Sequence, residues 1–264
     1  YKKTTDMLCF VEAPNSAGYK GSYDNIGDMV NKGLEVDLSA TVLKKKNISW
    51  DVNVNATTYK NEIAKLADAL KADLVVDGHP GYVSGDRLYA EGLPLYTWYI
   101  RRYAGLSEEG KSMWYYTDND GNLQKTDVYG NATYYNCGSP HPDLYGGFGT
   151  TLSAYGFDLS VSFSYSLGGK AYDFGYASLM GVPIGTSGGC AIHRDALNAW
   201  SADNPTSDIP RWQYNDPNTV STSDRFLVSG SYLTLQSINF GYTLPDNWIQ
   251  RIGLSGIRVY LAAD

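Results

Sequence analysis

Residues 157–167 read Phe157-Asp158-Leu159-Ser160-Val161-Ser162-Phe163-Ser164-Tyr165-Ser166-Leu167. Every odd position is apolar or aromatic, and the even positions hold Asp158 and four serines. An extended strand turns successive side chains to opposite faces, so this stretch is a two-faced surface. The same alternation runs through Leu34, Val36, Leu38, Ala40 and Val42, set against Glu35, Asp37, Ser39 and Thr41. It recurs in Ile48, Trp50, Val52, Val54 and Ala56, against Ser49, Asp51, Asn53, Asn55 and Thr57, and again in Ile257, Val259 and Leu261. Alternation alone fits a membrane barrel and a water-soluble sandwich equally well. Length separates them. Sandwich strands average about 5–6 residues, whereas a tilted membrane strand needs about 9–11, as these have.

The connections carry the next signal. Lys44-Lys45-Lys46-Asn47 and Tyr155-Gly156 read as tight hairpin turns, whereas Asn61 to Gly92 and Gly168 to Asp224 are long. Outer-membrane barrels have short periplasmic turns and long extracellular loops, so both tight turns belong to one side. Leu95–Tyr103 reads as a strand. Lys111–Thr117 reads as its partner, either in the wall or as a hairpin above the membrane. Between Tyr232 and Leu244 the phase slips: Leu233 and Leu235 share one parity, and Ile238, Phe240 and Tyr242 the other. One extra residue near Gln236-Ser237, a β-bulge, restores a common face; the alternative is a change from lipid to protein surroundings. The count is eight or nine strands, beginning with Lys2–Phe10. The chain stops at Leu261-Ala262-Ala263-Asp264 in mid-strand, which predicts part of a larger sheet. One amphipathic helix is predicted at Asn61–Ala72, from Ile63, Leu66, Ala67 and Leu70 at helical spacing, with a weaker one at Ala191–Trp200.

Composition agrees with strands and turns. Tyr accounts for 23 of 264 residues and Gly for 28, and both are turn and sheet residues rather than bundle residues. No run approaches the ~18 apolar residues of a membrane helix. Tyr1-Lys2-Lys3-Thr4-Thr5-Asp6 has no apolar stretch behind its charges, so the chain is either cytoplasmic or a mature or internal piece. A net charge of −7 without a basic stripe argues against nucleic acid. Cys9, Cys137 and Cys190 are too few and too scattered for a disulfide framework, leaving a Cys137–Cys190 bridge as one option. His79, His141 and His193 form no metal-ligand spacing.

Three sets of residues invite functional readings. Trp98, Trp114, Tyr115, Tyr116, Trp200, Trp212 and Tyr214 lie in the long connections, where aromatic faces stack on sugar rings or form an interfacial girdle. Asp118, Asp120 and Asn122 place oxygens at alternate positions, as in half of a calcium loop. Leu123 and Tyr129 stand where such a loop needs Gly and a bidentate Glu, so a solvated Asn/Asp/Gly turn is the competing reading. Gly185-Thr186-Ser187-Gly188-Gly189 has the G-x-S-x-G spacing, but Pro183 interrupts the strand a nucleophile elbow needs, which leaves a flexible glycine-rich loop. No catalytic constellation is legible.

Lys3-Thr4-Thr5-Asp6-Met7-Leu8, then Asn25-Ile26-Gly27 and Asn31-Lys32-Gly33-Leu34-Glu35, resemble the pattern of TonB-dependent receptors. Glu91-Gly92-Leu93-Pro94, Tyr116–Gly121, Gly138-Ser139-Pro140-His141-Pro142, Tyr145–Phe148, Trp200–Pro205 and Ile209-Pro210-Arg211 resemble the SusC/RagA series within it. The strongest match is Ser223-Asp224-Arg225-Phe226-Leu227-Val228-Ser229-Gly230-Ser231-Tyr232-Leu233, continuing to Gly241–Pro245 and Arg258–Leu261. The resemblance covers essentially the whole chain. It implies a 22-stranded transmembrane antiparallel β-barrel of the outer membrane, of which residues 1–264 are the last third less the final strand. The plug domain, TonB box and first strands would lie outside this sequence. It implies a SusD-type surface lipoprotein as partner, energy from TonB acting on the plug, and oligosaccharide or peptide ligands held between barrel and lipoprotein. Leu123 departs from the family's Asp-Gly acidic loop at the position where Gly is common.

Two other classes compete. A secreted carbohydrate-binding β-sandwich would use the same loop aromatics. A surface glycosidase would need two carboxylates about 5–10 Å apart, for which Asp118 and Asp120 are a poor pair. The deciding observation is what covers the row Phe157, Leu159, Val161 and Phe163.

Overall fold

The computed structural model describes residues 2–5, 8–13, 15–25, 27–71, 74–185, 191–250 and 253–264. Ser187 and Cys190 lie outside the described residues, and with them the G-x-S-x-G spacing and the Cys137–Cys190 option. One sheet dominates. Its seven strands, in chain order, are β1 (Lys2–Thr4), β2 (Gly27–Lys45), β3 (Ile48–Leu66), β4 (Pro142–Ala154), β5 (Phe157–Gly168), β6 (Tyr232–Thr243) and β7 (Arg258–Ala263). They are hydrogen-bonded in sequence order, each antiparallel to the next. This is an up-and-down meander.

Register turns the alternation into rows. One row runs Leu38, Val54, Phe148, Phe163, Leu235; the next Ala40, Val52, Thr150, Val161, Ile238, Ala263; the next Leu43, Trp50, Leu152, Leu159, Phe240, Leu261. The opposite face carries Asp37, Asn55, Gly147, Ser164 and Thr234, then Ser39, Asn53, Gly149, Ser162 and Ser237. Two bulges keep the rows straight. One lies in β2, where Thr41 pairs with Asp51 and Leu43 with Trp50, so Val42 is the extra residue. The other lies in β6, where Ser237 faces Ser162 and Leu235 faces Phe163, so Gln236 is the extra residue. The predicted slip at Gln236-Ser237 is therefore a bulge, which leaves Leu233 and Phe240 on one face despite opposite parity.

The apolar face is not a sandwich core. Leu38 is 63% exposed, Phe240 45% and Phe157 48%. Phe148 stacks on Phe163 and Phe157 on Phe240, so the rings pave the surface across strands. From Phe157 to Tyr165 the face measures about 26 Å along the strand at ~3.3 Å per residue, the order of a bilayer's apolar band. At one end the turns are tight: Lys46-Asn47, and Tyr155-Gly156 with φ of 52° and 90°. Positive φ at both central residues is the turn geometry that matches strand twist.

At the other end β2 and β3 outrun their neighbours, and the connections build a separate body. Leu74–Val76, His79–Ser84, Arg87–Ala90, Thr97–Arg101 and Tyr134–Gly138 form one sheet. Tyr103–Leu106, Ser112–Thr117 and Leu123–Thr126 form another. Five expectations are corrected. The large sheet has seven strands among the described residues, not eight or nine, because β3 pairs directly with β4 and the segments between them lie in the outer body. Leu95–Tyr103 is divided at Arg102 between the two outer sheets. Lys2–Phe10 is two strands in different sheets, Lys2–Thr4 and Leu8–Glu12. The Asn61–Ala72 helix is mostly strand: β3 continues to Leu66, and only Asp68–Lys71 is helical. There Met29 pairs with Ile63 and Asp28 with Lys65, leaving Ala64 bulged. A bulge puts Ile63 and Leu66 on one face at a spacing of three, which mimics a helical stripe. Ala191–Trp200 contains only a short 3-10 turn, Arg194–Asn198.

The two faces of β5 are expected to respond oppositely to charge. In the full-length protein folded into phospholipid vesicles, Val161→Arg should cost about 2–4 kcal/mol, while Ser162→Arg on the polar face should cost well under half of that. Equal costs in urea unfolding would sink the assignment of the apolar face to lipid.

Candidate functional site

β3 shows how the outer body is held over the polar side of the sheet. Asn55, Thr57, Tyr59, Asn61 and Ile63 share the polar parity, and Asn61 (7% exposed) and Ile63 (0%) are covered. What covers them is the segment Glu91–Leu95. The backbone N–H of Ile63 donates to Leu93 O (3.0 Å) and that of Gly92 to Ile63 O (2.8 Å). The N–H of Leu95 donates to Asn61 Oδ1 (2.7 Å), and Asn61 Nδ2 donates to Asn31 Oδ1 (2.7 Å). The N–H of Leu66 donates to Glu91 Oε1 (2.8 Å), and Lys71 Nζ sits 2.9 Å from the same carboxylate. These two donors, the amide foremost, hold the Glu91 carboxyl below the usual glutamate range. His141, at the far end of the same connection, ties it to the wall: its Nε2 lies 3.0 Å from Leu95 O and its Nδ1 3.3 Å from Tyr59 Oη.

The outer body has its own core. Trp98 (3% exposed), Ile100 (0%) and Cys137 (7%) pack together with Tyr135, Tyr172 and Leu227. Arg87 lies 3.1 Å above the Trp98 ring, whose Nε1 donates to Lys170 O. Ser223-Asp224-Arg225-Phe226 locks the long return connection onto this core. Asp224 Oδ1 accepts from Tyr103 N (2.7 Å), Phe226 is 1% exposed, and its carbonyl accepts from Asp173 N.

The sequence-selected residues are dispersed. Trp98 and Trp114 (1% exposed) are buried in the outer body, where packing fills their ring faces. The Tyr115 ring lies beneath Arg102 and Lys125. Tyr116 is on the adjacent strand position facing the other way. The Trp200 ring packs on Gly110, where a Cβ would fall 2.4 Å from it. Trp212 and Tyr214 are open to solvent, 42% and 62% exposed. Asp118 closes its own turn: Oδ1 accepts from the amides of Asp120 (3.1 Å) and Asn122 (2.8 Å), which lower its acidity range, Asn122 foremost. Asp120 and Asn122 are exposed, and among the described residues no three His, Cys, Asp or Glu side chains are placed to hold a metal.

Sequence reasoning passed over a cleft lined by Asp77, Arg102, Tyr135, Asn136, Cys137, Lys170 and Asp224. These residues come from separate stretches of two connections, β3–β4 and β5–β6, so no local pattern signals them. Burial pushes the Cys137 thiol up to about 11, which leaves it protonated and unreactive at neutral pH.

An open sheet with one apolar face, tight turns at one end and an outer body at the other has relatives. No family model matches the sequence. The chain is 28% identical over 272 residues to TonB-dependent receptor P3 of Formosa agariphila, covering 98% of this chain and 26% of that protein. It is 25% identical over 271 residues to TonB-dependent receptor SusC of Bacteroides thetaiotaomicron, again over 98% of this chain and 25% of that one. A solved structure of the RagAB peptide transporter matches with a TM-score of 0.76 at 26% identity, over 98% of this chain and 28% of that chain. The chain is similar to TonB-dependent receptors of the SusC/RagA type. It spans about a quarter of the length of the curated relatives it matches. For a SusC/RagA-type chain the large sheet is a section of barrel wall in the outer membrane, with rows such as Ala40–Val52–Thr150–Val161–Ile238 toward lipid.

Two outcomes follow for the anchor on β3. Asn61→Ala in the full-length protein removes the acceptor of Leu95 N–H, at a cost of about 1–3 kcal/mol for the buried donor left behind. Hydrogen exchange should accelerate at 91–95 and not in β4–β6. Because the folded Glu91 carboxyl titrates below its unfolded value of about 4.3, its contribution is complete above that value. It is lost as pH falls through the folded one. Protection of Leu66 N–H should therefore weaken on acidification below about pH 4, and Glu91→Gln should remove that pH dependence.

Proposed function

We propose that this chain is the C-terminal part of the barrel of an outer-membrane importer of oligosaccharides or peptides, working with a SusD-type surface lipoprotein and driven through TonB. The observation that carries the reading is the pair of faces on the seven-stranded sheet. In hydrocarbon every backbone amide must be paired and every sheet edge closed. The strands β1 and β7 therefore pair with further strands of the same protein in the complete barrel. The plug and the segment that engages TonB also belong to the rest of that protein. The polar rows then face the lumen, and the loop body seated on Asn61 and Ile63 stands at its outer mouth.

The names of the relatives support import: they are receptors and a peptide transporter, none of them named for a covalent reaction. Exposed Trp212 and Tyr214 on the outer body are suited to contact a ligand or the lipoprotein, being amphipathic and only partly covered. The carbohydrate-binding sandwich has no support in this architecture, because among the described residues no second sheet closes over the apolar rows.

Deleting the gene for the whole receptor should abolish growth on one class of oligosaccharide or peptide as sole nutrient. Complementation should restore growth, and a copy lacking the TonB-engaging segment should not. Unimpaired growth of the deletion strain on every oligomer tested would refute the import reading.

A further inference from the structure

The cleft beside the outer core has the chemistry of a ligand subsite. Arg102 is exposed, and its guanidinium carbon lies 5.3 Å from the Tyr115 ring centre and 5.4 Å from that of Tyr135. Two aromatic faces therefore hold a planar cation in place. Among the described residues its side chain makes no hydrogen bond and no ion pair, so five N–H donors in a fixed fork are unfilled. Lys170 reaches the same cleft. One of its ammonium hydrogens goes to Cys137 O at 2.7 Å, and its stem lies over Gly138, where a Cβ would come within 3.4 Å. The remaining two donors are free to turn toward a ligand.

Four polar acceptors or donors complete the lining. Asp224 is engaged by Tyr103 N through Oδ1, and Asn136 Oδ1 accepts from Gly138 N (3.0 Å). Asp77 sits at the tip of the Asp77-Gly78 turn with φ of 51° and is exposed. Tyr135 Oη lies 3.1 Å from Thr117 Oγ1. The balance of charge selects among anions. Two cations with open donors favour a negative group, while two carboxylates in the same cleft penalise a multiply charged phosphate or sulfate. A single carboxylate fits, flanked by N–H or O–H groups for Asp77 and Asp224 to accept.

We infer that this cleft binds a carboxylate of the imported oligomer, the guanidinium of Arg102 receiving it in a bidentate fork and Lys170 adding a second charge. This rests on the import reading and narrows its substrate class to acidic oligomers. The shared chemistry has two sources, the free carboxyl groups of a peptide and those of a uronic-acid oligosaccharide. Arg suits the role better than Lys because its fork matches both carboxylate oxygens.

The test uses the intact receptor in detergent and four probes: casein peptides and oligogalacturonate, each as free acid and as methyl ester. The expected result is that one of the two acids binds at least about ten-fold more tightly than its own ester, a difference of ~1.4 kcal/mol. Which acid does so identifies the source. R102Q should bring the acid-to-ester ratio close to one, R102K should retain part of it, and K170Q should reduce it. Among the described residues the Arg102 side chain makes no hydrogen bond and no ion pair, so R102Q should keep the heat-modifiable gel mobility of a folded barrel. Equal binding of acid and ester by the wild-type protein, or a ratio that survives the R102Q/K170Q double substitution, overturns the subsite while leaving import intact. Absence of binding by all four probes, esters included, overturns the subsite and counts against the import reading as well.

Discussion

In hydrocarbon a strand has no water to satisfy its amides, so each must find its partner in the next strand, and the side chains must sort by face at the same time. The seven-stranded sheet meets both demands at once. Ladder pairing from β2 to β7 fixes the amides, and the register of those ladders aligns Val52 with Thr150, Val161 with Ile238 and Leu159 with Phe240. A slip of one residue in any strand would send its apolar set to the polar face. The bulges at Val42 and Gln236 exist within this constraint: each absorbs one surplus residue so that the rows stay on one side.

The polar face is where the molecule departs from a plain wall. Gly147 and Gly149 thin it at mid-height, and Gly241 makes room for the pair formed by Asp158 and Arg258, whose closest approach is 2.5 Å. Past the upper ends of β4 and β5, the extensions of β2 and β3 continue upward and receive the outer body on their inner side. Asn61 does two jobs there, donating to β2 and accepting from Leu95, and the backbone of Ile63 and Leu66 bonds the same loop segment beside it. His141 bridges Tyr59 of the wall and Leu95 of the same connection, and the Ser223–Phe226 segment fastens the β5–β6 connection to the outer body. The groups that line the cleft of the outer body come from elements far apart in the chain.

That dispersion explains how much of the site could be read beforehand. Aromatic residues in the connections stood out, yet Trp98 and Trp114 serve the core of the outer body. The cleft around Arg102 went unnoticed, since Asp77, Arg102, Tyr135, Lys170 and Asp224 share no spacing. Asp118 had the look of a metal loop, and the structure shows its carboxylate closing the turn on its own amides. The Asn61–Leu66 stretch was misread for a local reason: a bulge at Ala64 reproduces a helical spacing of three.

The amino-acid sequence by itself determined the faces, the tight turns and the slip in β6, because period-2 alternation and positive-φ turns are local properties of a few consecutive residues. Only the tertiary structure decided which segments belong to the wall and which to the outer body, which aromatics are buried, and which charges meet in the cleft. Those outcomes depend on hydrogen bonds and packing between residues tens of positions apart, such as Asn61 with Leu95 and Tyr103 with Asp224, and no local pattern encodes the distance between them.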